Sequence, residues 1–345
     1  MVSVGVCLLA FLITYLSIPL LRKLAFRFGI VDLPGGRKIH GEVTPLLGGL
    51  AVFLGSSVAL VFVAPQLGPL VPIIVASSII VTIGLLDDMR GLSAQFRFIV
   101  QTIVTLFLIL SGLRISFLPN TLWGDTIEIV LTFFWVVGVT NAFNYLDGLD
   151  GLAAGSAIIN LFFFSVILYS TGQYPLGLLA ISLIGGCCAF LPYNVFKNEK
   201  IFLGEAGSTL LGFSLACMGL QGDWAKDNLV RVFIPVLILG VPIFDMVFTT
   251  IMRFKEEKVK TVIEWLRYGG KDHFHHYLVD LGLPKQGAVV FIYCLTISLG
   301  ISAIMVSNDR AIEAWLTLYQ AAIIFGVIAT LMVVGKRHRS GWQKQ

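Results

Sequence analysis

Asn141, Asn144, Asp147 and Asp150 recur every three residues in the stretch 141–155, Asn-Ala-Phe-Asn-Tyr-Leu-Asp-Gly-Leu-Asp-Gly-Leu-Ala-Ala-Gly. Two amides and two carboxylates at that spacing predict one slowly drifting polar stripe on a helix. Gly148, Gly151 and Gly155 leave the adjoining face open enough for a sugar or phosphate to approach the backbone. A solvated loop with glycines at its turns is the plainer explanation, but such a loop needs polarity, not a repeat of three. The apolar runs 127–139 and 152–169 flank the stretch, which puts its four polar groups at a membrane surface.

Other clusters have the same setting. Asp87 and Asp88 are adjacent at the end of an apolar run, where two carboxylates repel each other and call for a cation nearby, either a metal ion or its phosphate complex. A solvated helix end is the alternative. Glu205 stands between glycines just before another apolar run and is a candidate oxygen ligand for a hard cation. Asn194 and Phe202 lie in the same connection, and Phe202 could stack on a base or simply meet lipid. Arg97 and Gln101, at i and i+4, could face one cleft. In the first polar loop, Arg37, Lys38 and His40 sit among Gly and Pro and suit phosphate oxygens, with topological retention charge as the other explanation. Asp245 lies inside an apolar run, which makes it either a functional carboxylate or one partner of a buried ion pair or hydrogen bond. His273, His275 and His276 follow a Gly-Gly-Lys. Too few further Cys or His residues exist for a zinc site, so phosphate or pyrophosphate contact is the better expectation.

The elements that must position these residues are apolar helices. With 57% hydrophobic residues, 13% charged and a mean hydropathy of +0.90, the 345-residue chain reads as an all-α polytopic integral membrane protein. About eleven apolar runs qualify as spans: 2–21, 46–64, 70–86, 98–113, 127–142, 152–169, 176–191, 209–220, 232–252, 288–306 and 315–334. Of the 24 Lys and Arg, all but Arg114, Lys226, Arg231 and Arg310 fall in alternate connections and the C-terminal tail. That bias places the N-terminus outside, the tail in the cytoplasm and every polar cluster at the cytoplasmic face. The first run has no basic flank and no small-residue cleavage site, so it reads as a retained span. The net charge of +4 reflects topology, not nucleic-acid binding, and the five cysteines read as buried thiols. A single transmembrane domain, 1–345, is expected, with a large cytoplasmic loop at 253–286. That loop carries an interfacial helix (Val259, Val262, Ile263 and Leu266 on one face) and the histidine cluster.

Carboxylates, basic groups and histidines at one membrane face are what metal-assisted phosphoryl transfer between a soluble anion and a lipid requires. A transporter would hold its polar groups nearer the midplane. A CDP-alcohol phosphotransferase would continue Asp-x-x-Asp-Gly with Ala-Arg, where this chain has Ala153-Ala154.

The blocks Arg37-Lys-Ile-His40, Asp87-Asp88, Asn141-x-x-Asn144-x-x-Asp147-Gly-x-Asp150-Gly, Phe202-x-Gly-Glu205-x-Gly-Ser208 and His273-x-His-His276 stand in an order that resembles the polyprenyl-phosphate N-acetylhexosamine-1-phosphate transferases. The resemblance is nearer to the WecA/TagO branch than to the MraY branch, which transfers phospho-MurNAc-pentapeptide. It implies a multi-pass enzyme of the bacterial inner (cytoplasmic) membrane that moves GlcNAc-1-phosphate from a UDP-N-acetylhexosamine to undecaprenyl phosphate. By the same resemblance Glu205 and Asp88 would hold Mg²⁺, or Mn²⁺ in its place, and Asp87 would deprotonate or orient the lipid phosphate. Asp150 with Phe202 would engage uridine, Asn144 and Asp147 would position the sugar diphosphate, and Asn194 would be a further substrate-binding residue. Lys38, His40, Arg97, His273, His275 and His276 would neutralise phosphate charge. A homodimer is a further expectation. The family usually has Asp at the position of Glu205, so this ligand would be one methylene longer.

Overall fold

The computed structural model describes all residues except 34–42, 64, 66, 197–199, 269, 271, 308–310 and 343–345. The molecule is 80% helical. Its described strands are one two-residue antiparallel pair, β1 (Val31–Asp32) and β2 (Thr44–Pro45), with Val31 opposite Pro45. The chain divides into two compact units, Met1–Gly222 and Asp223–Gln345.

The first unit holds α1 (Val2–Phe28), α2 (Gly48–Val61), α3 (Val71–Arg90), α4 (Ala94–Leu110), α5 (Leu122–Leu146), α6 (Leu152–Ser170), α7 (Tyr174–Val195) and α8 (Gly204–Gln221). Helix α8 is the hub: it packs against α2, α3, α5 and α6, and every residue from Ala206 to Met218 is buried. Small residues permit this close approach. A Cβ on Gly84 of α3 would lie 2.7 Å from the Ala206 nitrogen, and one on Gly49 of α2 would lie 2.7 Å from the Leu203 carbonyl oxygen. Around the hub, α1 packs on α2 and α7, and α6 on α7.

The second unit holds α9 (Asn228–Ile238), α10 (Gly240–Lys255), α11 (Val262–Arg267), α12 (Phe274–Asp280), α13 (Lys285–Val306) and α14 (Ala311–Trp342). The run read as one span at 232–252 is broken: α9 and α10 meet at 78°. Pro242 has no N–H to give the Ile238 carbonyl one turn earlier, which loosens the ladder where the bend falls.

Each of the eleven apolar runs contains a helix, but they are unequal as spans. Among the described residues seven helices are long and apolar enough to cross a membrane, or eight if the bent pair counts as one. Helices α2 and α4 have 14 and 17 residues, which at about 1.5 Å per residue fall short of a core of about 30 Å. In the 253–286 loop the helix is shorter than expected: α11 starts at Val262, capped by the Thr261 hydroxyl accepting from the Glu264 N–H at 3.2 Å, and Val259 is buried outside it. All five cysteines are free, but only Cys187 and Cys217 are buried; Cys294 lies on the exposed face of α13.

Candidate active site

The repeat at 141–150 does not form one helical stripe. Helix α5 stops at Leu146, Asp147–Gly151 is a turn, and Gly151 adopts φ +78°, a left-handed conformation that glycine tolerates, before α6 begins. The two amides therefore stand on the last turns of α5 and the two carboxylates in the turn. Asn141 donates to the Gln101 side chain of α4 at 2.7 Å. Asn144 donates to Glu205 Oε2 at 2.6 Å and to Ser208 Oγ at 3.0 Å, both on α8.

Glu205 is the meeting point. Arg97, from the first turn of α4, places Nη1 2.7 Å from Glu205 Oε2 and 2.9 Å from Asp87 Oδ2, so one guanidinium bridges carboxylates from α3 and α8. The second Asp87 oxygen accepts the Leu92 N–H. Asp88 turns the other way. Its Oδ1 accepts from the Glu205 N–H at 2.8 Å and its Oδ2 from the Ala206 N–H at 3.2 Å, capping the first turn of α8 from a neighbouring helix. The two adjacent aspartates thus have different surroundings, as the roughly 100° between neighbours on a helix requires. Asp88, expected as a metal ligand, has one oxygen on the Glu205 N–H and the other on the Ala206 N–H.

The segment before α8 is stitched down on its far side. Gly48 and Gly49, at the start of α2, donate to the carbonyls of Phe202 and Leu203 at 3.0 and 2.8 Å, and the Phe202 N–H donates to the Pro45 carbonyl at 2.8 Å. Asn194 ties the same segment to the 147–151 turn, accepting from the Gly151 N–H at 2.6 Å and donating to the Ile201 carbonyl at 3.0 Å. Lys200 pairs with Asp150 and lies 5.4 Å from the Phe202 ring centre.

The first unit therefore collects Asp87, Asp88, Arg97, Asn144, Asp147, Asp150, Asn194, Phe202 and Glu205. Of these five carboxylates, Asp87 and Glu205 pair with Arg97 and Asp150 with Lys200. The crowding shows at Asp147: surrounding protein, then the Glu205 and Asp150 charges, push its carboxyl up to about 7. Its side chain nevertheless opens to solvent, which tempers that rise. Among the described residues no three His, Cys, Asp or Glu converge as a metal cage. Mg²⁺ does not need one, because it is commonly held by one or two carboxylates with phosphate oxygens and water. Glu205, beside the Asn144 amide in an acid-rich cluster, fits that mode.

His273, His275 and His276 belong to the second unit, and Lys38 and His40 lie outside the described residues. His273 and His275 are buried and His276 is half-buried. His275 is 1% exposed, and among the described residues neither of its ring nitrogens has a hydrogen-bond partner. Burial, then the neighbouring His276, pushes its pKa down to about 3, so it is neutral. Beneath the histidines Arg253 makes a bidentate pair with Asp272, at 3.0 and 2.7 Å. Burial favours the protonated Asp272, but these bonds and the Arg253 charge outweigh it and hold the carboxyl below its usual range. Sequence reasoning left Ser208, Lys200, Arg253 and Asp272 out of the candidate set. Ser208 carried a signal as the last residue of the Phe202–Ser208 block, and Arg253 as a cation two turns after a carboxylate in an apolar run.

A family model described as Glycosyl transferase family 4 matches residues 70–223, which takes in α3 to α8 and the whole carboxylate cluster. A Bacillus subtilis protein named probable undecaprenyl-phosphate N-acetylglucosaminyl 1-phosphate transferase is 34% identical over 97% of this chain and 92% of its own length. The chain belongs to the WecA/TagO-type transferase family. Two other members of this family are a Mycobacterium tuberculosis decaprenyl-phosphate N-acetylglucosaminephosphotransferase, 31% identical over 96% of this chain and 88% of its own length, and a Yersinia pestis undecaprenyl-phosphate alpha-N-acetylglucosaminyl 1-phosphate transferase, 27% identical over 86% and 82%. The membership makes the chain a multi-pass membrane glycosyl-phosphate transferase.

Proposed function

We propose that this chain transfers N-acetylhexosamine 1-phosphate, GlcNAc-1-phosphate in the first instance, from a UDP-sugar to undecaprenyl or a similar polyprenyl phosphate. The three relatives above all name N-acetylglucosamine, and each names a polyprenyl phosphate. The observation that carries the reading is Arg97 bridging Asp87 and Glu205 while Asn144 donates to the same Glu205 oxygen. That cluster is assembled from four helices at one end of the first unit.

In the reaction an oxygen of the lipid phosphate attacks the β-phosphorus of the UDP-sugar. A P–O bond forms there, the bond to the α-phosphate oxygen breaks, and UMP leaves. Two anions must meet, so the work of the protein is positioning and charge neutralisation. Arg97 supplies fixed positive charge, and Asp87 orients it and the incoming phosphate. Asp88 holds the α8 terminus so that Glu205 keeps its place. Asp150, Lys200 and Phe202 form the nucleoside end, with Asn144 and Asp147 along the sugar diphosphate. Mg²⁺, held by Glu205 on the diphosphate, would stabilise charge on the transferring phosphoryl group. Lys38, His40 and, from the histidine block, the half-buried His276 act on phosphate charge. The chain works in the bacterial inner membrane with its N-terminus outside and its site at the cytoplasmic face; the seven or eight long spans rise to about eleven crossings only where the shorter helices α2, α4 and α8 also cross.

Purified protein in detergent with UDP-GlcNAc, Mg²⁺ and undecaprenyl phosphate should release UMP and form an extractable lipid-linked sugar diphosphate. Neither product should appear when the lipid phosphate is omitted. UMP release that does not depend on the lipid, or none at all with any UDP-N-acetylhexosamine, counts against the reading.

A further inference from the structure

The three histidines are equivalent in sequence, but their surroundings differ. The His273 Nδ1 lies 3.2 Å from Asp245 Oδ2 and its Nε2 lies 3.1 Å from Arg253 Nη2. A guanidinium can only donate, so Nε2 must accept and Nδ1 must carry the proton toward Asp245. Each partner is itself fixed. Asp245 is fully buried in α10, and its Oδ1 accepts the Phe274 N–H at 2.7 Å and lies 3.1 Å from the Thr249 hydroxyl. Arg253 is 1% exposed, chelates Asp272 and lies 4.9 Å from the Tyr268 ring centre. The next residue, Phe274, is sunk among Phe244 of α10 and Phe291 of α13 at 5.5 and 6.3 Å. Two turns of α10 thus grip the segment 272–274 by its side chains and its backbone. The grip ends where the exposed part of the block begins: His276 is half-buried, its ring centre 4.1 Å from that of His275.

We infer that His273 is a positioning residue and not a ligand contact, clamped between Asp245 and Arg253 so that α12 presents His276 in a fixed orientation. Asp245 and Arg253 belong to the same clamp. The inference rests on the proposed transfer, since it takes the histidine block to serve the phosphate-bearing donor. A clamp of this kind acts through geometry, because a catalytic contact displaced by about 1 Å loses about 100-fold in rate.

The test is whether an isosteric donor can replace the ring. In His273→Asn the amide NH₂ overlays Nδ1 and can still donate to Asp245, but the residue lacks an imidazole that could bind phosphate. We expect His273→Asn to keep UMP release and the donor KM within about threefold of wild type, and His273→Leu and His276→Asn each to lose at least about 30-fold. Thermal unfolding in the same detergent identifies variants that fold. If folded His273→Asn is as inactive as His273→Leu, the hydrogen bond to Asp245 does not suffice to place α12 and the inference is overturned. A wild-type measurement does not depend on variant folding: ¹⁵N spectra of histidine-labelled protein should show His273 as the Nδ1–H form, with shifts that UDP-GlcNAc leaves in place while it moves His276. An Nε2–H ring, or one that shifts with the donor as much as His276 does, contradicts the clamp. If wild-type protein releases no UMP, the transfer reading fails while the nitrogen spectrum still decides the clamp.

Discussion

The two units handle buried charge in opposite ways. In the first, Arg97 is shared between two carboxylates, about a third of its side chain is exposed, and the Asp150–Lys200 pair stands open beside it. Ion pairs exposed to this degree cost less to exchange than fully buried ones. In the second, Arg253, Asp272 and Asp245 are buried and bonded to one another or to backbone. Such a group is costly to disturb and cannot readily change partners. The contrast separates charge that can change partners from charge fixed in the frame.

Substitutions should sharpen that contrast. The largest effect is expected at Asp87→Asn, which weakens the grip on Arg97: UMP release falls by about 10³-fold while the unfolding temperature stays near wild type. A folded variant that turns over normally would remove Asp87 from the chemistry. Arg253→Met should do the reverse. It leaves Asp272 buried without its main cation and destabilises the protein by about 3–5 kcal/mol, seen in denaturant or thermal unfolding. A loss below about 1 kcal/mol would mean the pair is not buried as described. A smaller, pH-dependent effect belongs to His275. Its folded pKa of about 3 lies below the usual 6.5, so the folded protein binds fewer protons than the unfolded chain between those values. Its contribution is complete above pH 6.5 and is lost as pH falls toward 3, at up to about 1.4 kcal/mol per pH unit. His275→Gln should therefore lose stability less steeply than wild type between pH 6.5 and 5; equal slopes would show that the ring is not held neutral. Smallest of all, Lys200→Met removes a partly exposed pair and should change stability by less than about 1 kcal/mol, with a donor KM raised about threefold.

The same contrast explains what could be read from sequence. Apolar runs bounded by polar clusters made the helical membrane architecture legible, and adjacent or evenly spaced carboxylates pointed to residues that the first unit brings together. The turn at 147–151 was misread as helix because a repeat of three fits a helix and says nothing of the left-handed Gly151 that ends it. Asp88 was indistinguishable from Asp87, since only packing decides that one side chain faces Arg97 and the other the amides of α8. The Arg253–Asp272 pair joins residues 19 positions apart, with α11 between them, a pairing that no helical or strand period encodes. The short helix α8 reads as a weak span because glycine and serine dilute its hydropathy, yet those residues let it become the hub.

The account depends most on Glu205, the carboxylate where Arg97 and Asn144 converge. Steady-state UMP release should be measured for wild type, Glu205→Asp and Glu205→Gln across a range of Mg²⁺ concentrations. The account predicts that Glu205→Asp retains transfer within about tenfold, with a shifted Mg²⁺ requirement, and that Glu205→Gln loses about 10³-fold while remaining folded. A folded Glu205→Gln protein with wild-type turnover and unchanged Mg²⁺ dependence would contradict it.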